Sequence, residues 1–345
     1  MAKRQKRSGT LTPAQVLARI RKGDFSPLYA FYGPEDLEKK EVLKTLIDAV
    51  VEPATRTFNL DVLHAENLEA ADAVNRAAAF PMMAARRMVV IKRVDRLPES
   101  AATQLLPLIR TPSETTVLVL TAQTFDARKK LFTGLRKSAV CVEFKQPYES
   151  EIPDWIRRRV EAAGKRIEPE AVHLLHMGVG AHPQDLANEL EKLAIHLSDR
   201  KTITRDDVAR VAGAFRGATV FELADAVGRG QSGPALASLK RLLEQGEHPV
   251  SIVAMLIRHI GILRKARWLQ GLRLPRTELA GRLKVPPFFL SGYMNQAARF
   301  DDQALWDTYG ALLDADDRLK SHSRTPFVTL SRLIYDLCRR PGARP

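Results

Sequence analysis

The hydrophobic periodicity of this chain changes in kind once, near residue 148. Before that point, short apolar runs alternate with segments of helical spacing; after it, every apolar repeat has helical spacing. Apolar strands separated by helices indicate a parallel sheet that is covered on both faces. The sequence therefore predicts an α/β domain followed by all-α domains.

The predicted division has four parts: a basic disordered arm at 1–9, an α/β domain at 10–148, a small helical domain at 149–213 and a larger helical domain at 214–345. Thr12 is expected to cap the first helix, with Pro13 at its first position and Gln15 closing a capping box. The other elements predicted in the α/β domain are strands at 27–32, 56–60, 87–92, 116–121 and 140–144, and helices at 35–50, 67–79 and 101–109.

The two helical domains are predicted from apolar repeats at helical spacing. The small domain has helices at 149–163, 168–177, 183–197 and 204–211. The larger one has helices at 220–227, 234–245, 250–269, 276–283, 286–298, 301–319 and 325–338, enough for a bundle.

Charge and cysteine content limit the class of protein. The formal net charge is +14, which favours polyanionic partners such as nucleic acid, although an arginine-rich solvated surface is the plainer alternative. No apolar run is long enough to predict a membrane span. The two cysteines, Cys141 and Cys338, form no paired motif, so they fit a reducing cytoplasm and favour neither a disulfide nor a zinc site. No histidine or carboxylate pattern predicts a metal site or a catalytic group.

The segment from Gly33 to Lys40 has the layout of a phosphate-binding loop, in which a strand is followed by a glycine turn and a helix. Gly33 opens the turn, and Lys39 falls where the phosphate-binding lysine belongs. However, Glu38 replaces the second glycine and Lys40 replaces the hydroxyl residue that would hold Mg²⁺. At about 4 Å, each carboxylate here would repel a phosphate by roughly 4 kcal/mol. The segment predicts a degenerate loop without bound nucleotide.

The second element of an ATPase is also incomplete. Asp95 lies just after an apolar strand, where an Asp-Glu pair would stand, but the next residue is Arg96. The carboxylate that would polarise an attacking water is therefore missing. A turn glycine in an unrelated α/β fold remains the alternative interpretation of Gly33.

Several moderate motifs give the chain a resemblance to a known family. They are LYAFYGPED at 28–36, FPMMAARRMVVI at 80–91, NELEKL at 188–193, VFELADAV at 220–227 and LLDADDRLK at 312–320. With these motifs the chain resembles the delta subunit of the bacterial DNA polymerase III clamp loader. The stretch at 136–141 does not match the Ser-Arg-Cys segment by which related subunits supply an arginine finger, which favours delta over those relatives.

The resemblance implies an AAA+-like domain, a helical lid domain and a helical collar domain. It implies a subunit without catalysis of its own that binds and opens the sliding clamp, while the gamma/tau motor subunits bind ATP. The implied partners are the clamp, gamma/tau, delta-prime and primed DNA within the polymerase holoenzyme. No cofactor and no membrane contact is implied, and the expected location is the cytoplasm, at the replisome.

The resemblance also assigns a clamp-binding segment to Phe80, Pro81, Met82 and Met83. Two adjacent methionines at the end of a helix cannot both face inward, and one exposed apolar anchor can contribute about 2 kcal/mol or more to binding. Methionine suits an irregular groove because its side chain is flexible. Packing of these side chains against the edge of the sheet is the alternative.

A basic helix in the last predicted domain carries Arg258, Arg264, Lys265 and Arg267 beside Trp268. These side chains are candidates for contact with DNA or with an acidic partner surface, and a solvated or intersubunit face is an equal alternative. Two other functions stay open for the chain: a P-loop-like DNA-repair ATPase and a stand-alone basic DNA-binding protein.

Overall fold

The computed structural model describes residues 9–211, 215–272, 274–321 and 326–339. The chain forms two compact units, of which the first ends at Gln146 and the second begins at Pro147. The predicted disordered arm falls on residues 1–8, outside the described residues, but Gly9, assigned to the same arm, begins a strand instead. Across the described ranges, no helix is both long and apolar enough to cross a membrane.

The first unit is built on a six-stranded parallel sheet with strand order β1-β6-β2-β5-β4-β3. The strands are β1 (Gly9–Leu11), β2 (Leu28–Tyr32), β3 (Leu60–His64), β4 (Arg87–Lys92), β5 (Thr116–Ala122) and β6 (Val140–Glu143). The helices are α1 (Pro13–Arg21), α2 (Asp36–Val50), α3 (Arg56–Asn59), α4 (Ala70–Ala78), α5 (Glu99–Gln104), α6 (Leu106–Arg110) and α7 (Lys130–Ser138).

Alternate residues of the central strands face two different cores, as the two-residue period of a strand requires. In β4, Met88 and Val90 pack with residues of α1 and α2, whereas Val89 and Ile91 pack with residues of α4, α6 and α7. The sheet is therefore covered by helices on both faces, as predicted. The capping box at Thr12 is confirmed, because its hydroxyl and the Gln15 side chain bond each other's backbone N–H groups.

Two predicted elements of the first unit are wrong. The segment Arg56–Leu60, predicted as a strand, is the short helix α3 up to Asn59, because the ladder with β4 begins only at Leu60. The single helix predicted at 101–109 is two helices that meet at Leu105, since Pro107 has no N–H for a helical bond. Strand β1 and helix α7 were not predicted from the sequence.

The second unit is helical apart from two short paired strands, β7 (Arg166–Ile167) and β8 (Thr202–Ile203). Its helices are α8 (Ile152–Ala162), α9 (Pro169–Val179), α10 (Pro183–Leu197), α11 (Arg205–Val211), α12 (Phe215–Gly228), α13 (Ser232–Glu244), α14 (Pro249–Gln270), α15 (Arg276–Leu283), α16 (Pro287–Ala297), α17 (Asp302–Ser321) and α18 (Pro326–Arg339). Every helix predicted in this part of the chain is present, with ends shifted by a few residues.

Buried side chains of the second unit form two hydrophobic clusters. One is made by residues 152–208 and the other by residues 223–338. Phe221 is half-buried and packs against both. The predicted boundary at residue 213 lies outside the described residues, so the division into a lid and a collar domain stays a prediction.

Three histidines of the second unit are largely covered from solvent, and one of them, His173, links its two clusters. His173 lies 2.9 Å from the Tyr293 hydroxyl, and His259 lies 2.7 Å from the Gln296 side-chain oxygen. Burial lowers the pKa of His173 to about 3 and the pKa values of His176 and His259 to about 4. All three are therefore neutral in the folded protein at pH 7.

We expect the second unit to lose stability in mild acid. The histidines titrate near 6.5 when unfolded, so their contribution is complete above that pH and falls as the pH drops toward 4. Between pH 7.5 and 5.5 the loss should be about 1 kcal/mol for each histidine. Urea unfolding followed by tryptophan fluorescence measures it, because the three tryptophans all belong to this unit.

A matched pair of variants checks the assignment. His173→Gln should flatten the pH dependence of the unfolding free energy, whereas the exposed His196→Gln should leave it unchanged. A His173→Gln protein with the parent's pH slope would contradict the prediction, whatever its stability at pH 7.5.

Candidate functional site

Gly33 follows β2 directly and occupies a position that only glycine fits. Its φ is +123°, and a Cβ atom placed on it would lie 2.1 Å from the carbonyl oxygen of Phe144. The Phe144 amide also donates to the Tyr32 carbonyl at 2.7 Å. The glycine is thus required by the close approach of the chain beyond β6, without any reference to a phosphate.

The N-terminus of α2 is capped by the protein's own carboxylate. Glu35 is buried, and its two carboxylate oxygens accept hydrogen bonds from the amides of Leu37 at 2.9 Å and Glu38 at 2.6 Å. Free amides at a helix N-terminus are the groups that bind phosphate in nucleotide-binding loops. Here an internal anion already holds them, which the sequence analysis did not predict.

Lys39 is also engaged inside the protein. Its ammonium donates to the carbonyl oxygens of Gly33 at 2.7 Å and Ala122 at 3.4 Å, and it pairs with Asp36 at 2.9 Å. The side chain is buried, whereas Lys40 on the same turn is exposed. The lysine that would reach a phosphate therefore ties the ends of β2 and β5 to α2.

Asp95 lies just beyond β4 and has a structural partner. Its carboxylate accepts a hydrogen bond from the amide of Gln123 at 3.1 Å, which joins the ends of β4 and β5. Arg96 pairs with Glu66 at 2.8 Å on the surface. The carboxyl edge of the sheet thus carries a turn, a lysine and an aspartate whose polar groups are engaged by the chain itself.

The four residues predicted to contact the clamp lie together on the loop of residues 79–86, between α4 and β4, which we call the apolar loop. Phe80, Met82 and Met83 expose 82%, 56% and 95% of their surface, and Pro81 between them is half-buried. The alternative, that they pack against the edge of the sheet, is wrong. Because the loop precedes β4, it lies at the amino edge of the sheet, opposite the Gly33 turn.

The apolar loop is anchored in the middle by Asn59, the last residue of α3. The Asn59 side chain donates to the Met82 carbonyl and accepts from the Met82 amide, both at 2.8 Å. Asn59 itself is 0% exposed. No local pattern marked this residue, because its partner is 23 positions away in the sequence.

The two elements that flank the apolar loop, α4 and β4, each donate a hydrogen bond to the same carboxylate. Asp61 of β3 accepts a hydrogen bond from Arg76 of α4 at 2.6 Å and another from Arg87 at the start of β4. Arg87 and Asp61 are largely covered from solvent, which strengthens their attraction relative to a surface pair. The flanks of the loop are therefore fixed to the edge strand β3.

The basic residues predicted on α14 do not form one face. The guanidinium of Arg258 is largely covered, pairs with Glu149 at 2.8 Å and donates to the Met177 carbonyl at 3.2 Å. Burial lowers its pKa. Because the Arg258 guanidinium is bound within the unit, it is less accessible to DNA than the other three, and its predicted contact with DNA or a partner stays a prediction.

The other three basic residues of α14 reach solvent. Arg264 lies over the ring of Trp306 of α17, 3.6 Å from its centroid, in a cation–π contact. Arg267 is 3.9 Å from Asp302, and Lys265 is exposed. Their role in binding DNA or a partner stays a prediction.

The fold and these sites define a class of protein: a parallel-sheet α/β domain, whose turn after β2 is held by its own side chains, followed by a helical unit. Two family models match the chain, "DNA polymerase III, delta subunit" at residues 29–145 and "DNA polymerase III delta subunit, C-terminal domain" at residues 217–337. Together they cover more than half of the chain. The chain belongs to the DNA polymerase III delta subunit family.

Similar proteins from two bacteria agree with this assignment. The DNA polymerase III subunit delta of Bacillus subtilis is 28% identical over 335 residues, which cover 94% of this chain and 96% of that protein. The Escherichia coli subunit delta is 23% identical over 260 residues, 73% of this chain and 74% of that protein. The solved structure of the Bacillus subtilis DNA clamp loader delta protein matches 95% of this chain and 100% of its own, with 28% identity and a TM-score of 0.56.

Replacing Lys39 tests whether that lysine has a structural role. Lys39→Met keeps the length of the buried side chain but removes its bonds to two carbonyls, so we expect a loss of about 2 kcal/mol in the unfolding free energy. Hydrogen exchange at the β2 amides measures the stability of the first unit. Lys44→Met, on the exposed side of α2, is the control and should cost under about 0.5 kcal/mol. Parent-like stability of Lys39→Met would contradict a structural role.

Proposed function

We propose that this delta-family chain is the subunit of its clamp loader that binds the sliding clamp and helps to hold one interface of the ring open. The observation that carries the proposal is the apolar loop, where Phe80, Met82 and Met83 face solvent on a segment that is anchored at its middle and at both flanks. Large apolar side chains that are both exposed and held in place are suited to a partner's hydrophobic pocket.

The energetics favour a small but strong contact. Burying one methionine or phenylalanine side chain contributes about 1.5–3 kcal/mol. Two such anchors therefore supply about 3–6 kcal/mol, a large share of the roughly 8 kcal/mol of a micromolar contact, provided that the loop needs little ordering when it binds. Met83 is the most exposed of the three and would be the main anchor.

Opening a ring requires more than binding it. A bound protein shifts a conformational equilibrium only by the difference between its affinities for the two states. We propose that the apolar loop fits the clamp better when the adjacent ring interface is open, so that binding energy is spent on separating that interface. Because its flanks are anchored, the loop would keep its conformation, and the clamp would be the partner that changes shape.

We propose that the chain neither binds nor hydrolyses ATP and carries no cofactor. The support is chemical: Glu35 holds the helix N-terminal amides, Lys39 is bound to backbone carbonyls, and no carboxylate follows Asp95. ATP would be bound by the gamma/tau subunits, which together with delta-prime would complete the loader on primed DNA. Nucleotidyl transfer would belong to the polymerase holoenzyme, in the cytoplasm.

Arg264, Lys265 and Arg267 would contact primed DNA or a neighbouring subunit within the assembled loader.

Two other functions compete with this proposal. A P-loop-like repair ATPase would need its own MgATP turnover, and a stand-alone DNA-binding protein would bind duplex tightly with a steep dependence on salt. The net charge of +14 is the observation that favours the second alternative.

Binding to the immobilised sliding clamp, measured by surface plasmon resonance, tests the proposed contact. Met83→Ala and Phe80→Ala should each weaken binding by tenfold or more, about 1.4 kcal/mol, and Met82→Ala by less because it is less exposed. Ile195→Ala, which removes an exposed apolar side chain from α10, should bind like the parent. Failure of the parent to bind would refute the proposed function, while parent-like binding by all three loop variants would refute only the assigned contact.

The competing functions are separated by two measurements on the isolated chain. We expect no heat of MgATP binding by calorimetry and no phosphate release, because the groups that would hold the phosphates are already bonded within the protein. We expect only weak DNA binding at physiological salt. Saturable MgATP binding would favour the ATPase, and tight salt-dependent DNA binding would favour the stand-alone DNA-binding protein.

A further inference from the structure

Asn59 is a buried polar residue whose side chain makes two hydrogen bonds to one residue of the apolar loop. It is 0% exposed, and both of its bonds, 2.8 Å each, go to the backbone of Met82. A buried amide that bonds both the donor and the acceptor of one peptide residue imitates a strand pairing and fixes that residue in position and direction. The bonds do not depend on what side chain residue 82 carries.

The next residue needs such support. Met83 has a φ of +51°, in the left-handed region that residues with a Cβ atom rarely adopt. Its side chain is 95% exposed, so its own packing cannot hold the backbone in this conformation. A strained backbone persists only where its surroundings determine it, and the nearest fixed point is the pair of bonds between Asn59 and Met82.

We propose that Asn59 is a positioning residue for clamp binding: it holds the apolar loop in its binding conformation before the clamp arrives. This inference rests on the proposed function. A loop that is already ordered avoids the entropy cost of ordering when it binds, and that saving appears directly as affinity. Asn59 lies beneath the loop and makes its contribution through Met82, without contacting the clamp.

The test compares Asn59→Ala and Asn59→Asp with the parent. Alanine removes both bonds, while aspartate keeps an acceptor for the Met82 amide but turns a carboxylate oxygen toward the Met82 carbonyl. We expect both variants to bind the clamp about tenfold more weakly, with alanine also increasing hydrogen exchange at the Met82 amide. Ser26→Ala is the control, because it changes another buried polar residue of the same unit, next to β2, and should bind like the parent.

A double-variant cycle separates positioning from a general loss of stability. If Asn59 acts through the loop, Asn59→Ala should cost much less in a Met83→Ala background than in the parent, because the anchor that it positions is gone. A cost that is the same in both backgrounds, or parent-like binding by both Asn59 variants, would overturn the inference while leaving the proposed function intact. If the parent itself does not bind the clamp, the proposed function fails and the inference fails with it.

Discussion

The first unit depends on what occupies the N-terminus of α2. A helix that starts at the carboxyl edge of a parallel sheet points several free amides at one spot, where a nucleotide-binding protein would hold a phosphate. In this chain the carboxylate of Glu35 takes that place, and the ammonium of Lys39 fastens the strand ends beside it. The carboxyl edge of the sheet is therefore held together by internal groups, and its conformation does not depend on a bound ligand.

The carboxyl edge of the sheet is occupied by internal bonds, and the proposed partner contact lies at the opposite, amino edge. The loops at that edge do not need to hold a nucleotide, so their sequence can serve another purpose. The apolar loop exposes three large side chains there, on a backbone held by Asn59 at its middle and by Asp61 at its flanks. A backbone that is already held in place reduces the entropy cost of ordering when a partner covers its exposed apolar side chains.

The fold was largely predictable from the sequence because it follows from regular periodicities. The strands with continuous apolar runs and the long amphipathic helices lie where the spacing predicted them. The break at Pro107 has a local cause, but the helix at 56–59 and the missed strand β1 depend on contacts that are distant in the sequence. Residues 56–59 have strand-like composition, yet the end of the ladder with β4 makes them a helix.

The sequence predicted the residue types and charges of the candidate site, but not the contacts that hold them. The impossibility of burying both Met82 and Met83 predicted that at least one is exposed, and the structure exposes both. The negative charge of Glu35 predicted repulsion of a phosphate. That the same carboxylate caps the helix depends on backbone geometry, which composition does not reveal. Arg258 and Arg264 have similar sequence contexts on one helix, but tertiary packing pairs Arg258 with Glu149 and places Arg264 over the exposed ring of Trp306.

Stiffness has a specific consequence for a subunit that is proposed to hold a ring open. Any force that the clamp exerts on Met83 passes into the backbone of the apolar loop and from there to its anchors. Asn59 carries it to α3, while Asp61 shares it between α4 and β4 through Arg76 and Arg87. Because β4 is paired along its length with β3 and β5, yielding would require breaking ladder hydrogen bonds together, whereas a loop tied at one point could simply swing away. Under the proposed function, the anchors would make the sheet, and not the loop alone, the body that resists closure of the ring.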